Sequence, residues 1–261
     1  KAQFLLETQD MSNYTDYLYV RSMFMKRTHM PRIVFCILIL IVSVAGHLCA
    51  GEVATFVDLG FSPDGKYYLF GQYGVTDKTL LPWAELFFVD VDKNNFVPGG
   101  KKQYLHTGQI VLGQDGSGAL YKLLLGNKEL IQKYNIDFLR QSTPLYITPD
   151  GEKQEASDPI EFRDFATGRS FKASLTQYVE GAGKNLSSSF FINLEVTDAK
   201  GNTKKYLVGT PSLKRPLIAS YMIRKAMIAP QDGSLIFIIE MKRVADQGFD
   251  IRYMVEAVRI P

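Results

Sequence analysis

The chain has 261 residues, with 30 Lys and Arg, 27 Asp and Glu, two Cys, three His and one Trp. Five of the basic and three of the acidic residues precede Gly51, which leaves 25 basic and 24 acidic residues in 51–261. That segment lacks the basic excess of a nucleic-acid-binding protein and is long enough to bury a sizeable core. We therefore expect no nucleic-acid partner and one domain over 51–261.

Residues 25–50 have the three-part order of a secretory signal peptide. Basic residues precede the uncharged run Ile33–Ala45, and small residues follow it. We predict export, to the periplasm or the medium, with cleavage near Ala50. Two alternatives stay open, an uncleaved N-terminal membrane anchor and lipidation at Cys49. Residues 1–24 are interpreted as an over-called or disordered extension, and membrane contact is expected only through the N-terminal segment.

The leader contains most of the reactive side chains. Both cysteines and two of the three histidines lie at or before Cys49, so 51–261 contains His106 and no thiol. We therefore expect no disulfide framework, no thiol nucleophile and no cysteine-based metal site in the exported part. The same shortage argues against a Ser-His-Asp site, and we predict no catalytic residue, metal or cofactor.

The exported part begins with a predicted β-hairpin. Phe61–Lys66 (FSPDGK) has the Pro, Asp and Gly of a tight turn. Aromatic, strand-prone residues follow at 67–71, and a second strand is predicted at 84–92. The residues between them, Gln72–Trp83, are predicted to form the connecting loop.

A helical segment interrupts the strands. Ser117–Tyr134 places Leu and Ile side chains on one helical face, and Gly126 is predicted to split it, with Asn127 capping the second helix. The strands predicted beyond it are Ile160–Ala166, Ser170–Val179, Ser189–Thr197, Lys204–Gly209 and Ala219–Met227.

The chain closes with a unit that resembles its first hairpin. A Pro-Gln-Asp-Gly turn at 230–233 opens the strand 235–240, and residues 249–257 alternate between apolar and more polar side chains. We predict a mainly β domain with a helical insertion (α+β) and antiparallel sheets. The architecture is expected to be propeller-like or sandwich-like, with the first and last hairpins paired in one sheet.

Several motifs carry a resemblance to known families. Phe61–Phe70 resembles the strand-opening motif of TolB-type β-propeller repeats. A wider set of motifs resembles an uncharacterised bacterial family of predicted secreted proteins, a domain of unknown function. Those motifs are Leu59–Tyr67, Phe70–Asp77, Phe96–Gly100, Phe162–Gly168 and Ile251–Glu256. The resemblance implies export and a shared fold, and it transfers no activity.

The remaining polar motifs favour structural roles. His106 is interpreted as a surface or hydrogen-bonded histidine. Asp90–Asn94 has the opening spacing of a calcium loop but lacks the turn Gly and the closing Glu, so we predict a hairpin turn. Six carboxylates on or beside strands could serve a hydrolase. They are Glu85, Asp90, Glu161, Asp164, Glu195 and Glu240.

The predicted loop 72–83 is the best candidate for a binding surface. It carries Tyr73, Asp77 and Trp83, and flat aromatic rings beside polar groups suit contact with a sugar or a peptide. The alternative is that Trp83 covers an open end of the core. The sequence thus favours a non-catalytic module that binds an envelope protein or a glycan, with a carboxylate-dependent glycan hydrolase as the alternative.

Overall fold

A computed structural model describes residues 51–111, 113–149, 157–246 and 248–260. The predicted extension 1–24 and the predicted signal peptide 25–50, including Cys49, lie outside the described residues. None of the helices in the described part is both long enough and apolar enough to span a bilayer.

The first sheet is an antiparallel meander of four strands. In spatial order these are β1 (Thr55–Phe61), β2 (Tyr67–Val75), β3 (Pro82–Asp90) and β4 (Asn95–Leu105). The predicted turn between β1 and β2 is confirmed. Asp64 accepts hydrogen bonds from Ser62 Oγ at 2.5 Å and from Lys66 N at 3.1 Å, and Gly65 supplies the positive φ of +71°.

The predicted loop Gln72–Trp83 is wrong in its extent. Strands β2 and β3 continue through half of it, and only residues 76–81 connect them. Tertiary contact explains the longer strand, because Gly74 leaves room for the Trp83 ring. A Cβ on Gly74 would lie 2.7 Å from that ring.

Two helices follow the first sheet, as predicted. Helix α1 spans Ser117–Leu125 and α2 spans Lys128–Lys133. Asn127 precedes α2, but its side chain does not cap that helix. Its Nδ2 instead donates to the Leu123 carbonyl at 2.8 Å and so satisfies the end of α1.

The second sheet contains the strands predicted between 160 and 209. It comprises β6 (Ile160–Asp164), β7 (Arg169–Glu180), β8 (Ser187–Thr197), β9 (Thr203–Val208) and β10 (Arg215–Pro216). The order is β10-β8-β7-β6, with β9 also paired to β8. The third sheet has the order β13-β12-β11-β5. Its strands are β5 (Thr143–Ile147), β11 (Ile218–Ile228), β12 (Leu235–Val244) and β13 (Phe249–Val258).

The sheets stack face to face in the order first, third, second. Side chains of the first and third sheets share one apolar cluster, and those of the third and second sheets share another. The helices cover the remaining face of the first sheet. The three antiparallel sheets and the two helices confirm the mainly β fold with a small helical insertion.

The prediction that the first and last hairpins pair in one sheet is wrong. Strand β2 lies between β1 and β3, and β12 lies between β11 and β13, so the backbone groups of both are already paired. The two hairpins pack face to face instead. One parallel bridge, Val53 with Ile251, joins the edges of their sheets.

Candidate functional site

An aromatic wall crosses the face of the first sheet that points to the third sheet. Its rings belong to Phe56, Phe70, Phe87 and Phe96, one from each strand. Successive ring centroids lie 5.5, 4.7 and 5.6 Å apart. Phe70 and Phe87 are direct cross-strand partners with nearly parallel rings. The register of the meander therefore aligns the four rings.

A cleft of about 420 Å³ opens between this wall and β13. Phe70, Phe87 and Phe96 line one side, and Tyr253 and Met254 line the other. This volume lies within the range of pockets that bind small ligands, about 300–1,000 Å³. We refer to it as the aromatic cleft.

Gln72 links the first and third sheets where the cleft ends. It is buried, its Nε2 donates to Glu85 Oε2 at 2.6 Å, and its Oε1 accepts the Tyr253 N–H at 2.8 Å. Asn94 acts in the same way farther along, accepting the Ala257 N–H at 2.6 Å. Side chains of the first sheet thus satisfy the outer edge of β13, where a further strand would otherwise pair.

Arg252 is fixed at one end of the cleft. Its guanidinium lies 4.0 Å from the centroid of the Trp83 ring, forms an ion pair with Glu52 and donates to the Ile251 carbonyl at 3.1 Å. Only 12% of the side chain is exposed. Contact on several sides holds the planar group in one orientation.

The other cations of the cleft are also matched by partners. Arg243 pairs with Asp250 at 2.7 Å, and Arg215 lies 3.6 Å from Glu256. Lys101 lies over the Phe96 ring, 4.3 Å from its centroid. Each of the three arginines therefore has a carboxylate partner, and the cleft presents planar polar groups with little net charge.

Glu256 forms a buried polar junction among the three sheets. It lies on β13, accepts a hydrogen bond from Asn94 Nδ2 of the first sheet and faces Arg215 of the second. Burial raises the pKa of the Glu256 carboxyl above its ordinary value of 4.5, and the contacts with Asn94 and Arg215 offset that rise only in part.

A larger hollow of about 990 Å³ adjoins the aromatic cleft, and Arg243 lines both. Loops from all three sheets converge on it. Thr76 to Thr79 contribute from the first sheet, Gly183 and Lys184 from the second, and Ala245 and Asp246 from the third. Lys78 and Asp246 approach to 3.7 Å across it. It is open, and its lining includes the charged side chains of Asp77, Lys78 and Asp246.

The structure separates the three residues predicted for binding. Asp77 lines the hollow. Trp83 is buried on the face of the first sheet that carries the aromatic wall, where it supports Arg252. Tyr73 points to the opposite face and packs in the helical core. The residues that the sequence analysis missed are Gln72, Phe87, Arg215, Arg252 and Glu256. Glu256 alone had a visible signal, as an acid within the apolar strand 253–258.

The other predicted polar motifs have structural partners. His106 Nδ1 lies 2.9 Å from the Tyr104 hydroxyl. In the predicted hairpin turn, Asp90 accepts the Lys93 N–H at 3.2 Å and pairs with its ammonium at 2.7 Å. Residues 90–94 therefore form the Asx-type turn. Within the described ranges, no cluster of three His, Cys, Asp or Glu side chains could hold a metal ion.

The six candidate carboxylates are also held by neighbours. Glu85 bonds Gln72, Glu161 pairs with Lys172 at 2.9 Å, and Glu195 pairs with Lys205 at 2.6 Å. Glu240 pairs with Arg224 at 2.7 Å, and Asp164 accepts the hydroxyl of Thr167.

The sequence model of one family, described as a predicted secreted protein (DUF2259), matches residues 69–259. No curated protein and no solved structure matches the chain. The match confirms the predicted resemblance to a family of secreted proteins, and nothing in it supports the TolB-type propeller motif. It covers β3 to β13 and most of β2, so it includes nearly all the side chains of the cleft.

Proposed function

We propose, from the premise that this chain belongs to the DUF2259 family of predicted secreted proteins, that it is an exported, non-catalytic protein that binds a glycan. The ligand site is the aromatic cleft, and the adjoining hollow receives the next sugar units of the glycan. The periplasm, where cell-envelope glycans lie, is the proposed location.

The composition of the cleft is the observation that carries this proposal. A sugar ring has apolar C–H faces, which pack on aromatic rings, and hydroxyl groups at its edge, which need donors and acceptors. The wall of Phe87 and Phe96 supplies the first kind of surface. Glu85, Arg215 and Arg252 supply planar donors and acceptors at its margins.

Charge balance favours a ligand without strong charge. The arginines that line the cleft already face Glu52, Asp250 and Glu256. A polyanion would have to compete with these carboxylates for the same guanidinium groups. A neutral sugar can accept from the N–H groups that the pairs leave unused, since a guanidinium has five.

The alternative of a glycan hydrolase has no support. Glycoside hydrolysis requires two carboxyl groups on either side of the scissile bond. Among the described residues, Glu85 is the one carboxylate that lines the cleft, and Gln72 donates to it at 2.6 Å. Of the carboxylates that line the hollow, Glu52, Asp246 and Asp250 are paired with Arg252, Lys78 and Arg243. The geometry therefore supports binding rather than cleavage.

Trp83 offers a direct test, because it is the single tryptophan of the chain and stacks on Arg252. Maltotriose, cellotriose and chitotriose, each at about 10 mM, would be titrated while its fluorescence is recorded, which detects dissociation constants near 1 mM. We expect a saturable change with at least one of the three. No saturable change with any of them would contradict the proposal.

Phe87→Ala and Phe191→Ala form a matched pair for this titration. Phe87 lies on the wall, whereas Phe191 is a half-buried phenylalanine on β8 that packs beside Tyr178, outside the cleft. We expect Phe87→Ala to raise the dissociation constant about tenfold or more and Phe191→Ala to leave it unchanged. Equal losses in both variants would place the sugar elsewhere.

A further inference from the structure

The outer surface of the helical layer is unusually apolar. Leu139 is 94% exposed, Tyr121 and Leu125 are each 64% exposed, and Phe138 is 42% exposed. Tyr121, Leu125 and Phe138 line a groove of about 460 Å³ together with the half-buried Leu124 and Ile131, and Leu139 follows Phe138 in the chain. We call these six residues the helical patch.

The patch does not follow from the packing of the helices on the sheet. Helix α1 already buries an inner face, formed by Ala119, Leu120 and Leu123, against the first sheet. A surface helix normally carries polar residues opposite such a face. Here Tyr121 and Leu125, four residues apart, place a second apolar stripe toward solvent.

Uncompensated positive charge surrounds the patch. Lys122 of α1 and Lys128 and Lys133 of α2 form no ion pair with any other described residue. Lys122 instead lies 5.0 Å from the centroid of the Tyr104 ring, and Lys133 lies 5.3 Å from that of Tyr134.

The second sheet has lysines of both kinds, and Lys204 on β9 forms no ion pair with another described residue. Lys172, Lys205 and Lys214 each pair with a glutamate at 2.6–2.9 Å. Residues 117–140 contain three lysines and one arginine against one Glu and one Asp, which gives a local net charge of +2. The helical layer thus combines exposed apolar side chains with unpaired lysines.

We infer that the helical patch binds the surface of a membrane that contains anionic lipids. Protruding leucines and aromatic rings enter the boundary between headgroups and acyl chains, and flanking lysines extend to the anionic headgroups. Each lysine near an anionic surface strengthens binding by about fivefold. This contact is separate from the N-terminal segment, through which alone the sequence predicted membrane binding.

The charges favour a membrane over a second copy of the chain. A symmetric dimer would place the same patch on both sides of its interface, and the lysine rims would then face each other. A bilayer also accepts protruding side chains such as Leu139 without a complementary pocket. The patch lies across the first sheet from the aromatic cleft, so the cleft would stay open on a bound protein, and this inference does not depend on the glycan proposal.

Vesicle sedimentation tests the inference on the protein recovered after export. The vesicles would contain phosphatidylcholine alone or with about 30% phosphatidylglycerol, a composition that supplies the negative surface potential. The test variant is Leu125→Glu with Leu139→Glu, and the control is Leu207→Glu, which changes an exposed leucine (58%) on β9 of the second sheet. All of these side chains are exposed, and thermal unfolding would verify that each variant folds.

We expect the wild type and Leu207→Glu to sediment with the anionic vesicles, and the double variant to bind at least tenfold more weakly. Equal binding of all three would assign the membrane contact to another part of the chain and overturn the inference. Absence of wild-type binding would overturn it as well. Self-association without vesicles, lost in the double variant, would assign the patch to a second copy.

Discussion

The two faces of the third sheet are packed in different ways, although one strand, β12, contributes to both. Leu235, Phe237 and Ile239 point to the second sheet, and Ile236 and Ile238 point to the first. Toward the second sheet the contact is an apolar core in which the buried Ser188 and Tyr221 hydroxyls bond each other at 2.9 Å.

Toward the first sheet the contact is only partly apolar. The core there ends at a seam where Gln72 and Asn94 bond the edge of β13, and the aromatic cleft opens beside it. The apolar interface between the second and third sheets stabilises the stack. The interface between the first and third sheets ends in polar side chains, and a concave surface with apolar and polar groups lies at its margin. The cleft therefore opens where side chains, rather than a further strand, complete the edge of β13.

Phe237→Ala should have the largest effect on this comparison. The ring is fully buried between the second and third sheets, and removing it leaves a cavity in a close-packed core. We expect a loss of about 3–5 kcal/mol in the free energy of unfolding, measured by urea denaturation. Phe87→Ala, at the half-buried wall of the cleft, should cost about 1–2 kcal/mol. Equal losses of unfolding free energy in the two variants would show that both interfaces are equally well packed.

Gln72→Ala should have an intermediate effect. It leaves the Tyr253 N–H without its acceptor and Glu85 without its donor, in a buried position. We expect a loss of about 2 kcal/mol by urea denaturation, together with faster hydrogen exchange at the Tyr253 amide. Gln103→Ala, which changes an exposed glutamine on β4, is the control and should cost little. Unchanged exchange at Tyr253 would contradict the role assigned to Gln72.

Glu256→Gln should have the smallest effect, visible mainly as a change in pH dependence. Because burial raises the pKa of Glu256, the folded protein holds this proton more tightly than the unfolded chain does. That contribution to stability is complete below pH 4.5 and is lost as the pH rises through the raised folded-state pKa. The variant lacks this loss, so its stability relative to the wild type should increase across that window.

Urea denaturation at several pH values would measure this shift. The exposed carboxyl of Glu129 on α2 provides a matched control, and Glu129→Gln should not reproduce the shift. If the curves of Glu256→Gln and the wild type run parallel from pH 4 to 8, the junction does not titrate with folding.

Local chemistry made much of the secondary structure predictable. The Pro-Asp-Gly turn before β2, the divided helix at Gly126 and the strands from β6 to β9 follow from turn residues and alternation. Strand β4 was missed because Pro98, Gly99 and Gly100 have turn composition. They lie in the bulge that interrupts the pairing of β3 and β4, between the pairs Phe87–Lys101 and Val89–Phe96, and Gly99 has a positive φ of +68°. Pairing on both sides of these residues defines the strand, and their turn preference is kept as the bulge within it.

The mainly β class, the helical insertion and membership of a secreted family are readable from the amino acids alone, because turn chemistry, apolar periodicity and family motifs are properties of short segments. Three features follow only from the three-dimensional packing: the hairpins stack rather than pair, Gln72 and Glu256 are buried, and four phenylalanines align in the cleft. Those outcomes depend on contacts between residues up to about two hundred positions apart, such as Arg252 with Glu52. No local pattern predicts which side chain will bond the backbone of a strand that is distant in sequence. The cleft lies where such side chains bond the edge of β13.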